Sequence, residues 1–306
     1  MFVFIIRRLL QTIPVLLGVI LVVFLIMKMV PGDAALLLAG EGATDEQVAQ
    51  LRTQLGLDEP IFVQFFSYIK DVLQGDLGTS LRSNRPVLDE ILVRLPVTLE
   101  LAFWSIIITV VLGLFAGIIS ATKQNSFQDI GIMVVALIGV SLPNFWLGLM
   151  LILYFAVQYQ IFPVAGWGSF AHIILPAITL GTSGAAIVAR MTRSSMLEVI
   201  RQDYIRTAKA KGVKQKYITY KHALKNALIP VVTVVGLQFG ALLGGTVLTE
   251  TVFAINGVGR MMVDAIRMRD LPLVQGSILI VSVIFVLVNF LVDVSYRLLN
   301  KRVDLN

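Results

Sequence analysis

Apolar positions in this chain come in long unbroken runs rather than alternating with polar ones. Six such runs lie at about 9–30, 99–122, 134–158, 172–192, 231–250 and 277–298. Each is long enough to cross a ~30 Å hydrocarbon layer as a helix rising 1.5 Å per residue. A bilayer gives a bare backbone no hydrogen-bond partner, so every run is predicted helical, the alternative being a closed barrel. The expected fold class is an all-α integral membrane protein with six transmembrane helices. Two polar stretches stand out, residues 31–98 and 193–230. They divide the chain into an N-terminal anchor helix at 1–30, a helical segment at 31–98, and a core at 99–306 that carries the 193–230 loop.

Cap and turn signals subdivide both polar stretches. Thr44 and Gln47 have capping-box spacing and lead into Val48, Leu51 and Leu55 on one face, with Gly56 as the stop. Asp58-Glu59-Pro60 opens a second helix, ending at Gly75, in which Ile61, Phe65, Tyr68 or Ile69, and Val72 are expected to be buried. A third helix is expected from Pro86. In the other stretch a helix is predicted over about 197–211, with Gly212 entering the left-handed region just past its end. The next helix runs from about Lys214 to Leu228 and stops before Pro230, which opens the fifth span. Spacing puts Tyr217, Tyr220, Leu224 and Ala227 on one face of it, beside a basic face of Lys214, Lys221 and Lys225.

Charge decides which side these stretches face. Residues 203–230 hold seven Lys/Arg against a single acid, Asp203. With the N-terminus in the cytoplasm, sixteen Lys/Arg lie inside and eight outside, Lys28 sitting at the outer boundary. The positive-inside rule then places both termini and the 193–230 loop in the cytoplasm and 31–98 outside. Orientation therefore accounts for the net charge of +6, and no nucleic-acid partner is expected. The composition fits a lipid solvent: 57% hydrophobic and 14% charged, with a mean hydropathy of +0.86. Without cysteine there is no disulfide and no thiolate metal site, and His172 and His222 are too few and too far apart for a metal centre. The run after Arg7 and Arg8 is too long for a signal peptide, and Val30-Pro31-Gly32-Asp33 lacks an A-x-A site, so a retained anchor is expected.

The segment "DYIRTAKAKG" (203–212), followed by "HALKNALIP" (222–230), resembles the cytoplasmic EAA-type loop of bacterial ABC importer permeases. Arg206 and Thr207 stand where that loop has Glu and its first Ala, whereas Ala208 and Gly212 match. These departures resemble the dipeptide/oligopeptide/nickel subfamily, and the glutathione branch is also similar. Co-ordered matches run along the chain: "PGD" (31–33), "LGLDEP" (55–60), "GDLGTS" (75–80), "RLPVTLEL" (94–101), "ARMTRSSMLEV" (189–199), "GVGR" (257–260) and "RDLPLVQG" (269–276). The resemblance implies a type I ABC importer permease fold in the bacterial inner membrane. It also implies three kinds of partner: a homologous second permease completing a heterodimer, two cytoplasmic ATPases, and an extracytoplasmic solute-binding protein docking on 31–98. The loop would be the coupling helix, with Asp203, Tyr204, Arg206, Thr207, Ala208, Lys211, Gly212, Tyr217, Tyr220, Leu224, Asn226 and Pro230 as its contact residues. The implied cargo is a di- or oligopeptide, with glutathione next and nickel third.

No G-x-x-x-x-G-K-[ST] loop occurs, so this chain is expected to be no enzyme and to bind no cofactor, ATP and Mg belonging to the partner ATPases. Polar side chains inside spans cost energy and mark pathways. Asn144, Gln238, Glu250 and Asn289 are therefore candidates for the translocation path, although Glu250 could instead pair with an outer Arg. Asn144 follows Pro143, which frees a backbone carbonyl and is expected to kink the third span. Glu100 and Asp293 lie near span ends, where water reaches them. Gly113-x-x-x-Gly117 and Gly240-x-x-x-Gly244 have the spacing of close helix packing. Two other classes compete. An ion-driven carrier would show mid-membrane charges and inverted repeats, which are not visible here. A scaffold would use the basic loop only to hold anionic lipid.

Overall fold

The computed structural model of the protein describes residues 2–29, 34–39, 42–54 and 56–299. Residues 30–33 and Leu55, which carried expectations above, and Lys301 and Arg302, two of the sixteen Lys/Arg counted inside, lie outside the described residues. The first helices are α1 (Phe2–Met29), α2 (Ala34–Ala39), α3 (Asp45–Gln54), α4 (Ile61–Leu73) and α5 (Val87–Thr122). Then come α6 (Phe127–Ser141), α7 (Asn144–Leu151, continued by a π-helical stretch at Ile152–Gln158) and α8 (Phe170–Ile200). After α9 (Asp203–Ala210) and α10 (Gln215–Tyr217) a second π-helical stretch, Ile218–Leu224, leads into α11 (Lys225–Val252), α12 (Val258–Arg267) and α13 (Leu271–Leu299).

Among the described residues, five helical segments are long and apolar enough to cross a membrane: Ile5–Ile26, Val87–Thr122, Phe170–Ile200, Gln215–Leu242 and Leu271–Val294. The sixth is broken, α6 and α7 meeting at 103°. The expected 134–158 span, kinked at Pro143, is thus two helices set almost at right angles. The physical cause lies in the proline: its ring forces Leu142 out of the helical region, to φ −78 and ψ 130, and it donates no hydrogen bond. Elsewhere proline does not stop a helix. Pro96 sits inside α5, so the helix expected from Pro86 and the second span are one 36-residue helix of about 54 Å. Pro230 sits inside α11 rather than opening it, as membrane helices allow when neighbours re-satisfy the freed backbone groups.

Contacts divide the chain into two compact units. The first joins residues up to Pro96 with Met261–Val286. Here the capping box forms reciprocally, Thr44 N–H donating to Gln47 Oε1 at 2.9 Å and Gln47 N–H to Thr44 Oγ1 at 3.4 Å. The expected apolar faces are less covered than their spacing implies. No residue of α3 or α4 is fully buried, and Ile61 is exposed. Phe65 and Tyr68 instead lean on Phe24 of α1, with ring centroids 5.3 and 6.1 Å away, and burial pushes the Tyr68 phenol up to about 12. Two of the motif stretches meet: the buried Asp270 carboxylate accepts from Ser80 Oγ at 2.5 Å and from the Leu81 amide at 3.2 Å.

The second unit comprises Val97–Arg260 with the segment from Leu287 onward. Leu101, Leu180, Phe253 and Ile255 form its core with Ala156, Ile173, Leu175, Ala177 and Leu242. Helices α5 and α8 approach closely because glycines face them. A Cβ on Gly113 would lie 2.6 Å from Val188 Cβ, and one on Gly117 would lie 2.5 Å from Thr192 Cβ. Thr109 seals the seam by donating to the Gly181 carbonyl at 3.0 Å. The second glycine spacing is not used this way, since nothing lies within 4 Å of a Cβ on Gly244.

Candidate functional site

The polar stretch between α8 and α11 folds into a knob with its own small core. Helix α8 ends at Ile200, not near 211, and Arg201–Gln202 turn the chain into α9. The break has a physical reason. In an unbroken helix Ile205 would point about 180° away from Met196. With the turn it is fully buried beside Met196 and Val199. Ile218, Ala223 and Ala227 come in from the far side of the loop, and Ala208, Val213 and Leu224 pack around them. Fully burying each isoleucine is worth about 1.5–3 kcal/mol, which is substantial for so short a segment.

Gly212 shapes the corner. It adopts φ +73, and two reverse hydrogen bonds close α9: Val213 N–H to the Ala208 carbonyl at 3.2 Å and Gly212 N–H to Lys209 at 3.0 Å. That pair is the Schellman arrangement, and the Val213 and Ala208 side chains both pack against the knob's core. A second tie spans the loop: Asn226 Nδ2 donates to Tyr204 Oη at 2.7 Å and to the His222 carbonyl at 3.2 Å. Asp203 contributes less than its place suggests. Its 3.5 Å contact with Arg206 is solvent-exposed on both sides, where ion pairs add little, and Thr207 donates to the Asp203 carbonyl at 3.0 Å.

The expected single face of Tyr217, Tyr220, Leu224 and Ala227 does not form. Tyr217 and Tyr220 are 59% and 54% exposed, whereas Ala227 is buried and Leu224 packs against the knob's core. The π-helical stretch explains the split. Each wide turn holds one residue more than an α turn, so every extra residue slips the register by about 100°. The exposed surface of the knob therefore carries Tyr217, Tyr220, Tyr204, Arg206 and the lysines at 211, 214, 216, 221 and 225. Pro230 is half-buried below it, within α11.

Sequence reasoning missed the anchor beneath the knob. Asp129, only 2% exposed, accepts from Arg193 Nε and Nη2 at 2.7 Å each, in a two-pronged pair. It also accepts from Ser120 Oγ and from the Asn125 amide, the latter at 2.9 Å. Its own amide donates to Ser126, the N-cap of α6, at 3.3 Å. One carboxylate thus ties the end of α5, the start of α6 and α8, two turns before α8 gives way to the knob. The Ser126-x-x-Asp129 spacing was a readable helix-start signal, but nothing in it pointed to Arg193.

The polar residues singled out within the spans are scattered. Asn144 is half-buried in the first turn of α7, and Asn289 is half-buried in α13. The amide of Gln238 faces the α5–α8 seam, 3.1 Å from where a Cβ on Gly184 would sit. Glu250 does not face an open path and is 0% exposed. Its carboxylate accepts from Thr98 Oγ1 at 2.7 Å and from the Arg260 backbone amide at 2.8 Å, while Val258 N–H donates to Thr98. Gly257 and Gly259 make room for it, since a Cβ on either would come within 2.4–2.9 Å of its side chain. The sequence left Glu250 either to the path or to an outer arginine; the structure shows its carboxylate held by Thr98 and by the backbone of the "GVGR" turn.

Family comparison matches residues 109–305 to the binding-protein-dependent transport system inner membrane component and residues 1–102 to the N-terminal region of the same component. The chain is 48% identical to the dipeptide transport system permease protein DppB of Alkalihalophilus pseudofirmus, covering 97% of this chain and 98% of that one. It is 46% identical to the glutathione transport system permease protein GsiC of Escherichia coli K12, covering 98% of each. Among solved structures, an inward-facing methionine ABC transporter, MetNI, aligns with a TM-score of 0.59 at 21% identity, covering 69% of this chain and 96% of that one. An amino acid ABC transporter aligns at 0.51 and 15% identity, covering 70% and 94%. These two likenesses establish the fold.

Proposed function

The chain belongs to the binding-protein-dependent transport system inner membrane component family, and we propose that it is the permease subunit of an ABC importer for di- or oligopeptides. It is a multi-pass membrane transport subunit. Both termini and the 193–230 knob face the cytoplasm in this reading, in keeping with the excess of Lys/Arg on that side. A homologous permease completes a heterodimer, two ATPases that bind ATP and Mg dock below, and a solute-binding protein docks on the outer segment. Asn144, Gln238 and Asn289 remain the proposed contacts of the translocation path.

The observation that carries the proposal is the knob itself. It is braced by a Schellman corner, by the Tyr204–Asn226 bond and by a buried apolar core, yet it presents two exposed tyrosines. A helix that merely adsorbed to lipid would turn its apolar side chains outward and need no core of its own. A rigid projection with aromatic tips suits a protein cleft, where aromatic anchors dominate binding. Rigidity also lets a displacement at the ATPase reach α8 and α11 without being absorbed.

The test is co-expression of the tagged chain with an untagged second permease and the ATPases: purification through the tag on this chain should retain the ATPases, and cargo-loaded binding protein should stimulate ATP hydrolysis. Loss of both would refute the reading. Glutathione is the second cargo to weigh, because the glutathione permease is nearly as similar as the dipeptide permease. Uptake of labelled dipeptide, glutathione and nickel in competition ranks the three.

A further inference from the structure

A second, smaller site lies at the opposite end of the second unit. Glu100 and Trp104 stand one turn apart on α5, facing Phe170 and Ile173 in the first turn of α8 and the segment Trp167-Gly168-Ser169 before it. Together they line an open cavity of about 200 Å³, with Glu100 and Phe170 exposed at its mouth. The rings of Trp104 and Phe170 meet edge to face, centroids 5.1 Å apart and planes at 77°, which makes a corner of two aromatic walls. The third wall is fixed in place as well. Trp167 lies between Gly166 at φ +96 and Gly168 at φ +142, and the Gly166 amide donates to the buried Phe253 carbonyl at 3.0 Å. Trp104 and Trp167 both rest on the core around Leu101 and Phe253.

A carboxylate set among aromatic faces is the chemistry of ammonium recognition: the rings attract the cation through their quadrupoles and the carboxylate takes its N–H groups. No lysine or arginine pairs with Glu100 among the described residues, so the acid is available to a ligand. The cavity is smaller than the ~300–1,000 Å³ clefts that enclose whole ligands, so it fits an end group. A tryptophan belt at the lipid interface would explain the rings, but not an acidic residue lining the same cavity.

We propose that the Glu100–Trp104–Trp167–Phe170 pocket receives a primary ammonium group, the amino terminus of a peptide as it enters the permease from the outer side. This rests on the peptide-import reading and the orientation given above. It assigns to Glu100 a role in cargo selection, where position near a span end had implied only hydration.

The test uses the complete importer in ATP-loaded proteoliposomes, with a tripeptide offered either with a free amino terminus or N-acetylated. Each is supplied at a concentration that saturates the binding protein, so that its own preference drops out. Glu100→Gln should lower the initial rate for the free-amine peptide about tenfold, the scale of a lost charge-assisted contact, and leave the acetylated peptide unchanged. Trp104→Leu should act alike and Trp104→Phe should keep most of the rate. Equal effects on both peptides, or none, would overturn the proposal and leave the rings as an interface belt. A wild-type complex that carries neither peptide fails the import reading instead. A second arm does not depend on transport: in the 5-fluorotryptophan-labelled complex, n-butylammonium should shift the Trp104 and Trp167 resonances, n-butanol should not, and Glu100→Gln should abolish the response. Absence of that shift overturns the pocket whatever the peptides do.

Discussion

Asn226 and Tyr204 are 22 residues apart in sequence and 2.7 Å apart in the structure, the amide of the one donating to the hydroxyl of the other. The bond joins the first turn of α9 to the first turn of α11, the two ends of the knob. Because Asn226 also donates to the His222 carbonyl, it braces the π-helical stretch from below. Removing the hydroxyl by Tyr204→Phe should cost the knob about 0.5–1.5 kcal/mol. Faster hydrogen exchange at the amides of 203–213 in the assembled complex would register the loss, and unchanged exchange would show that the bond braces nothing.

Gly212 offers a cleaner perturbation, because nothing lies within 4 Å of a Cβ placed there. Any cost is then conformational, about 1–2 kcal/mol for a side chain in the left-handed region. Gly212→Asn should be mild and Gly212→Val severe, weakening ATPase retention or coupled hydrolysis while the chain still inserts. Normal recovery and normal transport for Gly212→Val would defeat the coupling role of the knob.

Docking in a protein cleft and adsorption to lipid respond to different residues. Lipid attraction is electrostatic, about 1 kcal/mol per Lys/Arg near the surface. Replacing Lys214, Lys221 and Lys225 by Gln should therefore leave most cargo-stimulated ATP hydrolysis intact. Tyr217→Ala with Tyr220→Ala should abolish most of it without lowering thermal stability, since both rings are exposed. Leu224→Ala should instead lower stability, because that side chain packs against the knob's core. An inactive Gln variant beside a fully active tyrosine pair would return the loop to the membrane surface.

The pair beneath the knob should be the more expensive one to break. Asp129→Ala leaves the Arg193 guanidinium partly buried without its carboxylate, a loss of about 3–5 kcal/mol. Thermal unfolding of the purified complex should shift down accordingly. Asp129→Leu combined with Arg193→Met should recover much of the midpoint, because two matched apolar groups leave no charge stranded. A midpoint for Asp129→Ala equal to wild type would mean the pair carries no structural weight.

What the sequence made visible follows from the range of each interaction. The apolar runs, the Thr44–Gln47 capping box and the left-handed Gly212 depend on neighbours a few positions away, and all three stand in the structure. The face of the knob was misread because a 3.6-residue period was carried through Ile218–Leu224, where the helix is wound wider. The bend at Pro143 was foreseen in place but not in size, as a proline fixes where a helix yields and the surrounding packing decides how far. Asp129 and Arg193 were invisible as a pair, with 64 residues between them, as was the turn of backbone that claims Glu250.

That same separation of 64 residues sets a clock on biogenesis. Asp129 leaves the ribosome well before Arg193, and at 5–20 residues per second the interval is about 3–13 s. Through that time the nascent carboxylate has only Ser120, the Asn125 amide and water to satisfy it, so the α5–α6 hairpin waits in the translocon's neighbourhood as a half-finished part. Synthesis of α8 delivers the missing cation and brings the chain to the threshold of the knob, so an insertion machinery that released the hairpin early would strand a charge.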